Sequence, residues 1–192
     1  MTILHTARLR LEPFADHHLD GLNAMNSRPE VMRFFGGQPE TREQTAGFIA
    51  RVQRAWAAWG TSWWALIDPE NDRVAGAACV QYLRKELKVP DDLSSLVTNP
   101  LEVGWRLHPD YWHKGLATEA GERLTAFAFE TFPIEELLSV CHPGNTASSR
   151  VMERLGMQYR GLETWYGQSL STYVLGRDAW AQRVGEPGSA AT

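Results

Sequence analysis

The chain has 192 residues, with 19 lysines and arginines against 23 aspartates and glutamates, for a formal net charge of −4. That length fits one ordinary domain, and 43% hydrophobic against 22% charged residues gives it enough apolar material for a core, which excludes a disordered chain. The acidity speaks against a nucleic-acid partner gripped through a general basic surface, and no apolar run approaches the ~20 residues that span a bilayer, so no membrane partner is expected.

The first six residues show neither a basic region nor an apolar one, so no secretory leader is visible. Cys79 and Cys141 are the only cysteines, both in apolar surroundings. They are expected as buried thiols in a reducing compartment, which points to the cytoplasm.

In chain order, residues 8–12 alternate polar and apolar as a half-buried strand does, and helical signals follow over 16–26. Thr41-Arg42-Glu43-Gln44 has capping-box spacing. Phe48, Ile49, Val52, Trp56 and Trp59 then recur at helical spacing until Gly60 ends the run. Residues 63–67 and 74–83 read as strands joined by the turn Pro69-Glu70-Asn71-Asp72. Residues 84–100 form a polar connection, long for a hairpin loop and therefore a candidate functional segment.

Residues 101–107 form a strand. A helix opens near Gly115 with Leu116, Ala120, Leu124, Phe127 and Ala128 on its apolar face. A short strand at 136–141, a helix after Asn145 ending at Gly156, and a closing hairpin (157–165 and 173–175) complete the domain. The expected architecture is α/β (α+β): one domain over 1–180 with a mixed, mostly antiparallel sheet of about seven strands and about four helices. Residues 181–192 are expected as a flexible tail.

The strand–turn–helix segment carries the first chemical signal. Helix-initial N–H groups lack internal partners, the helix dipole adds about half a positive charge, and Gly115 lets a phosphate approach the backbone. Lys114 offers charge, Thr118 a hydroxyl, and Ala117 keeps the turn small. A glycine at such a junction is more often only a turn, and neither a P-loop nor a dinucleotide fingerprint is present.

Four segments in order sharpen the reading. They are Thr6-Ala7-Arg8-Leu9-Arg10-Leu11-Glu12-Pro13-Phe14, Val74-Ala75-Gly76, the run from Leu101-Glu102-Val103-Gly104-Trp105-Arg106-Leu107 through Tyr111-Trp112-His113-Lys114-Gly115-Leu116-Ala117-Thr118-Glu119-Ala120, and Asn145-Thr146-Ala147-Ser148-Ser149-Arg150-Val151-Met152-Glu153-Arg154-Leu155-Gly156-Met157. Together they resemble the GNAT-family N-acetyltransferases, most closely the RimJ/RimL-like branch, over roughly residues 6–175. His113 departs from the family's glycine at that position, where a positive φ would strain a side chain.

The resemblance implies splayed central strands, with a bulge near Gly104 and the pantetheine arm of acetyl-CoA paired in the gap. It implies a cofactor site from Leu107, Trp112, His113, Lys114, Gly115, Leu116, Ala117, Thr118 and Asn145, with Arg150 and Arg154 toward the adenosine phosphates. It further implies that the N–H near Trp105 polarises the thioester oxygen and that Glu102 acts as base through water. Glu102 as a structural carboxylate, ordering a substrate ammonium or paired with Arg106, is an equal reading. Many family members carry a tyrosine acid where this chain has Met152, and Ser148 is the branch's alternative, although a first-turn serine that satisfies a helix start is at least as common. Asn145 as a simple N-cap, and the two arginines as solvated helix residues, are the bland alternatives.

Trp63 and Trp64, from a cluster with Trp56 and Trp59, are candidates for the acceptor pocket, with Glu102 and Tyr166; most of the tryptophans are expected in the core. Cys141-His142 point to opposite faces of a strand and make no thiol nucleophile. The spacing of His108, His113 and Asp110 gives no metal site, and His17-His18 are expected at the surface. The expected partner is an amine acceptor, a small molecule or a protein N-terminus, and the slight acidity favours a cationic one; a homodimer fits the family. The competing function is a catalytically silent acyl-CoA-binding domain of the same fold.

Overall fold

A computed structural model describes residues 1–185. Its strands are β1 (Leu4–His5), β2 (Arg10–Pro13), β3 (Trp63–Asp68), β4 (Arg73–Tyr82), β5 (Leu101–Leu107), β6 (Glu136–Cys141), β7 (Gln158–Trp165) and β8 (Gln168–Gly176). The helices are α1 (Leu19–Asn26), α2 (Pro29–Met32), α3 (Arg42–Trp59), α4 (Leu116–Thr131), α5 (Thr146–Arg154) and α6 (Arg177–Gly185).

The capping box at Thr41 forms as its spacing predicts. Thr41 Oγ1 accepts the Gln44 N–H at 3.2 Å, and Gln44 Oε1 accepts the Thr41 N–H at 2.8 Å. Gly60 closes α3 in the left-handed conformation, φ 71°.

Three elements exceed the expected seven strands and four helices. β1 is two residues long, and α2 is a single turn opened by Pro29, both too short to show a period. α6 has no buried residue, so it carries no apolar stripe; Trp180 nevertheless stacks on Phe129 with ring centroids 5.0 Å apart. This helix carries ordered chain past the boundary expected at 180. The rest of the expected tail, 186–192, lies outside the described residues.

The single sheet has the order β1-β2-β3-β4-β5-β6-β8-β7. All neighbours are antiparallel except β5 and β6. Consecutive residues of a strand face opposite sides, and β3 shows which helices cover each side. Trp63 meets Phe48 of α3 (5.7 Å between centroids), whereas Trp64 meets Phe127 of α4 (5.2 Å). α3 therefore lies on one face and α4 on the other, and β5 runs between them in the middle of the sheet.

Candidate active site

The site begins with a mismatch between two strand pairings. β4 and β5 pair without interruption from Tyr82↔Leu101 to Gly76↔Leu107. β5 and β6, parallel, share one paired position, Glu102↔Leu138. The bulge expected near Gly104 is absent: the register is continuous there. A Cβ on Gly104 would lie 3.2 Å from Cys79 Sγ, so its glycine serves cross-strand packing. Gly76 does the same further along, since a Cβ there would come within 2.6 Å of the Arg106 carbonyl oxygen.

The register also assigns the backbone groups of β5. The His108 N–H bonds Ala75 O at 2.9 Å, and the Leu83 N–H bonds Pro100 O at 2.9 Å. Hydrogen-bonded positions alternate along an antiparallel pair, so Glu102, Gly104 and Arg106 bond to β4. The N–H and C=O groups of Trp105 and Leu107 point the other way, toward β6, beyond the one position where β6 pairs. The Leu107 carbonyl takes the Trp112 Nε1–H at 2.8 Å. Both N–H groups front the widening gap, which is where a ligand with its own amides could add as a strand.

β5 ends in a short 3-10 turn, Pro109–Tyr111, and then in α4. Gly115 N-caps α4 at φ 77°, and His113 also takes a positive φ, 59°. The conformation that a glycine would adopt freely is thus kept at position 113 by a histidine. Trp112, His113, Lys114 and Gly115 are exposed, Ala117 and Thr118 half-buried and Leu116 buried. Only the Arg8 side chain lies near where a Gly115 Cβ would stand, at 3.6 Å.

Glu119, in the first turn of α4, ties the N-terminal segment to this helix. It accepts the Thr6 hydroxyl (2.6 Å), the Arg8 N–H (2.8 Å) and Arg8 Nε (2.7 Å), and Arg8 Nη1 reaches Lys114 O at 2.9 Å. Burial pushes the Glu119 carboxyl up, but those donors outweigh it and hold it below the usual range.

On the α3 side, Glu102, Gly104 and Arg106 share one face of β5. Glu102 is buried and accepts Gln81 Nε2 at 2.8 Å and the Tyr166 hydroxyl. Gln81 Oε1 accepts Trp63 Nε1 at 2.9 Å, which joins Trp63, Gln81, Glu102 and Tyr166 in one network. Burial raises the Glu102 carboxyl against these hydrogen bonds and pushes the Tyr166 hydroxyl well up, so Tyr166 stays the donor. Tyr166 stands at φ 54° in the two-residue turn Tyr166-Gly167 between β7 and β8, a conformation that disfavours a bulky side chain and aims it here. Glu102 does not pair with Arg106.

Trp63 borders the cleft, but Trp64 does not. Trp64 is 0% exposed, wedged between Trp56 and Phe127, with its Nε1–H on Thr2 O. The alternation that brings Trp63 to the cleft takes Trp64 to the opposite face. The Trp105 indole likewise points to α4, close to Gly121.

Across the gap, Asn145 caps α5 through Oδ1, which accepts the Ser148 N–H at 3.2 Å. Asn145 and Ser148 also border the cleft. Met152 is buried. Arg150 and Arg154 are exposed and have no ion-pair partner among the described residues. Cys79 and Cys141 are free and buried; burial raises both thiols, Cys141 to about 11. His142 turns away to accept the Gly144 N–H at 3.0 Å and stack on Phe34.

Trp63, Glu102, Trp105, Asn145, Ser148 and Tyr166 border one cleft of about 570 Å³, whereas Leu107, the turn at 112–118, Arg150 and Arg154 do not line it. Gln81 and Phe35 border it without having been singled out from the sequence; Trp59, read in the tryptophan cluster, and Arg106, read only as a partner for Glu102, border it too. For Gln81 and Arg106 a signal existed, since each is a polar residue inside an otherwise apolar strand. The 84–100 connection contributes Arg84, Leu87, Val89 and Leu93.

One surface expectation fails. His18 is 3% exposed, accepting the Ala15 N–H at 3.1 Å and meeting Glu12 at 3.0 Å. Glu12, His17 and His18 bring ligand-type atoms within 4.8 Å of one another; His18 Nε2 meets Glu12 Oε2, and Arg10 Nε takes Oε1 at 2.5 Å. No helix among the described residues is long and apolar enough to cross a membrane.

Comparison with known proteins agrees with this geometry. The chain is similar to YkkB, a Bacillus subtilis protein without assigned function (25% identity; 90% of this chain, 94% of that one), and to an FsC-acetyl coenzyme A-N(2)-transacetylase from Aspergillus fumigatus (25%; 86% and 68%). Among solved structures, an acetyltransferase from Agrobacterium tumefaciens shares the fold with a TM-score of 0.75 at 23% identity, covering 92% of this chain and 95% of that one. A family model described as an acetyltransferase (GNAT) domain matches residues 8–158, from the arginine that Glu119 holds to the first residue of β7. With the splayed strands, the left-handed turn and the Arg8–Glu119 tie all inside that match, the chain belongs to the GNAT acetyltransferases and is an acyltransferase enzyme.

Proposed function

We propose that this enzyme passes the acetyl group of acetyl-CoA directly to a primary amine, a small molecule or a protein N-terminus. The observation that carries this reading is a buried carboxylate, Glu102, on the strand whose Trp105 and Leu107 N–H groups front the unpaired gap. Acetyl-CoA, the family's cosubstrate, supplies the activated acetyl group. Leu107 and Asn145 hold its pantetheine amides, and the N–H groups of Leu116, Ala117 and Thr118 hold its pyrophosphate beside Gly115. Lys114 adds charge, and Arg150 and Arg154 flank the adenosine end. The four sequence motifs support the RimJ/RimL-like branch.

The incoming amine is protonated near neutral pH. Glu102, raised by burial, is suited to take that proton through water, and Tyr166 with Gln81 fixes its orientation. The Trp105 N–H polarises the thioester oxygen. Ser148 is the candidate donor to the leaving thiolate, since Met152 supplies no proton. Direct attack is supported by the two cysteines, which burial holds as thiols. The A. fumigatus relative, named an N(2)-transacetylase, supports nitrogen as the accepting atom.

The test is thiol release from acetyl-CoA across a broad amine panel. Turnover with at least one primary amine, without an acetylated enzyme accumulating, is expected. Tight CoA binding with no turnover for any amine would transfer the protein to the silent, acyl-CoA-binding reading.

A further inference from the structure

Arg106 is 8% exposed and borders the cleft, yet Nε and Nη2 of its guanidinium have no hydrogen-bond partner. Buried polar groups are nearly always paired, and an unpaired buried cation is among the costliest exceptions. Three rings hold it: Trp63 at 4.8 Å, Phe48 at 5.1 Å and Phe35 at 5.5 Å from the guanidinium carbon. Such contacts engage the π faces of the rings and make no hydrogen bonds. The carboxylate with most influence on Arg106, Glu40, forms no ion pair with it; it is taken by Asn26 Nδ2 (2.8 Å) and Thr45 Oγ1 (3.1 Å).

The two unpaired nitrogens have a chemical meaning. Nε–H and one Nη2–H leave one edge of the guanidinium in parallel, the fork that a carboxylate fits with both oxygens; both nitrogens are closed to solvent in the free protein, so an acceptor reaches them only as the residues around Arg106 give way. Arg51 and Arg84 also border the cleft. With Arg106 they give it three cations against Glu40 and Glu102, a local sign opposite to the chain's net charge of −4. The cationic acceptor suggested by overall acidity is therefore disfavoured at the cleft itself.

We propose that Arg106 reads an anion on the acceptor, and that the preferred acceptor is an amine carrying a carboxylate several bonds away. This inference rests on the acetyl-transfer reading of the same cleft. Glu102 and Arg106 face the same side of β5 four residues apart, roughly 13 Å between Cα atoms at about 3.3 Å per residue. An acceptor with its amine at Glu102 and its carboxylate at Arg106 has the length of a short peptide or an ω-amino acid.

Matched pairs test it: 6-aminohexanoate against its amide, and glycylglycine against glycylglycinamide. The wild-type enzyme should favour each acid by about 10- to 100-fold in kcat/KM, the range for one charged hydrogen-bonded group. Arg106→Met should bring the ratio to near one, and Arg106→Lys, which keeps the charge without the fork, should keep part of it. An unchanged acetyl-CoA affinity in each variant shows that the cleft is still folded. Equal use of acid and amide by the wild type, or a preference that survives in Arg106→Met, overturns the proposal. Calorimetry with the N-acetylated acids and amides in the presence of CoA separates the two readings. Acid-selective binding lost in Arg106→Met, in an enzyme that turns over no amine, keeps the anion site and removes acetyl transfer. Equal binding of both removes the anion site.

Discussion

The two halves of the proposed site are built from different materials. At the β5–α4 turn the groups offered to a ligand are backbone N–H groups, set by strand register, a helix start and two left-handed residues, 113 and 115. At the acceptor end they are side chains brought together from β3, β4, β5 and the β7–β8 turn. A backbone site is local in sequence and tolerant of side-chain identity, which is how His113 stands in for a glycine. A side-chain site depends on distant segments meeting, and each substitution changes its chemistry.

That contrast is open to experiment, and Glu102→Gln should have the largest effect. Loss of a general base lowers kcat by about 100-fold or more. The acidic limb of the wild-type rate profile should lie above the ordinary carboxylate value of 4.5, as burial requires, and should be absent in the variant. The sign for stability is opposite to that of most carboxylates. A raised folded pKa means that the native state holds the proton longer than the unfolded chain, so stability falls as pH rises from about 4.5 through the folded value. Glu102→Gln should flatten that fall in a urea titration series. An unaltered kcat would make Glu102 a structural carboxylate.

Next in size, Gly115→Val should raise the acetyl-CoA dissociation constant by roughly 30- to 100-fold, the value of one or two charge-assisted backbone bonds. The Cβ meets only the Arg8 guanidinium, at an ordinary 3.6 Å, but needs the left-handed region, so Tm should also fall by a few degrees, for about 1–2 kcal/mol of strain. If binding is unchanged in isothermal titration, the pyrophosphate lies elsewhere.

The sequence made the backbone end legible and the side-chain end only partly so. The Gly115 helix start, the capping box at Thr41 and the 136–141 strand follow from caps and periods within a few residues. Pairing of Glu102 with Tyr166 spans 64 positions and depends on a strained turn that no local pattern announces. Trp63 and Trp64 were equal candidates until the sheet's faces separated them. The bulge expected at Gly104 came from resemblance, and in this chain cross-strand packing on Cys79 takes its place.

Glu119→Ala probes the join between the turn and the N-terminal segment. It removes the acceptor of Thr6 and Arg8, and a loss of about 2 kcal/mol in urea unfolding is expected, discounted for the exposure of Arg8. The Glu119 carboxyl is depressed in the folded state, so its contribution is present above about pH 4.5 and fades as pH falls through the folded value. The difference from wild type should shrink in the same direction. Tyr166→Phe should have the smallest effect. Without its donor, the Glu102 carboxyl rises further, and the acidic limb of the rate profile moves to higher pH with little change in acetyl-CoA affinity.

The central claim is that the unpaired edge of β5 receives acetyl-CoA, and amide hydrogen exchange followed by NMR with and without acetyl-CoA tests it most directly. Gly104 and Arg106, bonded to β4, should exchange slowly in both states. Trp105 and Leu107 should exchange faster in the free enzyme and become protected when acetyl-CoA is added. Equal exchange at all four positions, or protection that appears elsewhere and leaves Trp105 untouched, would contradict the account.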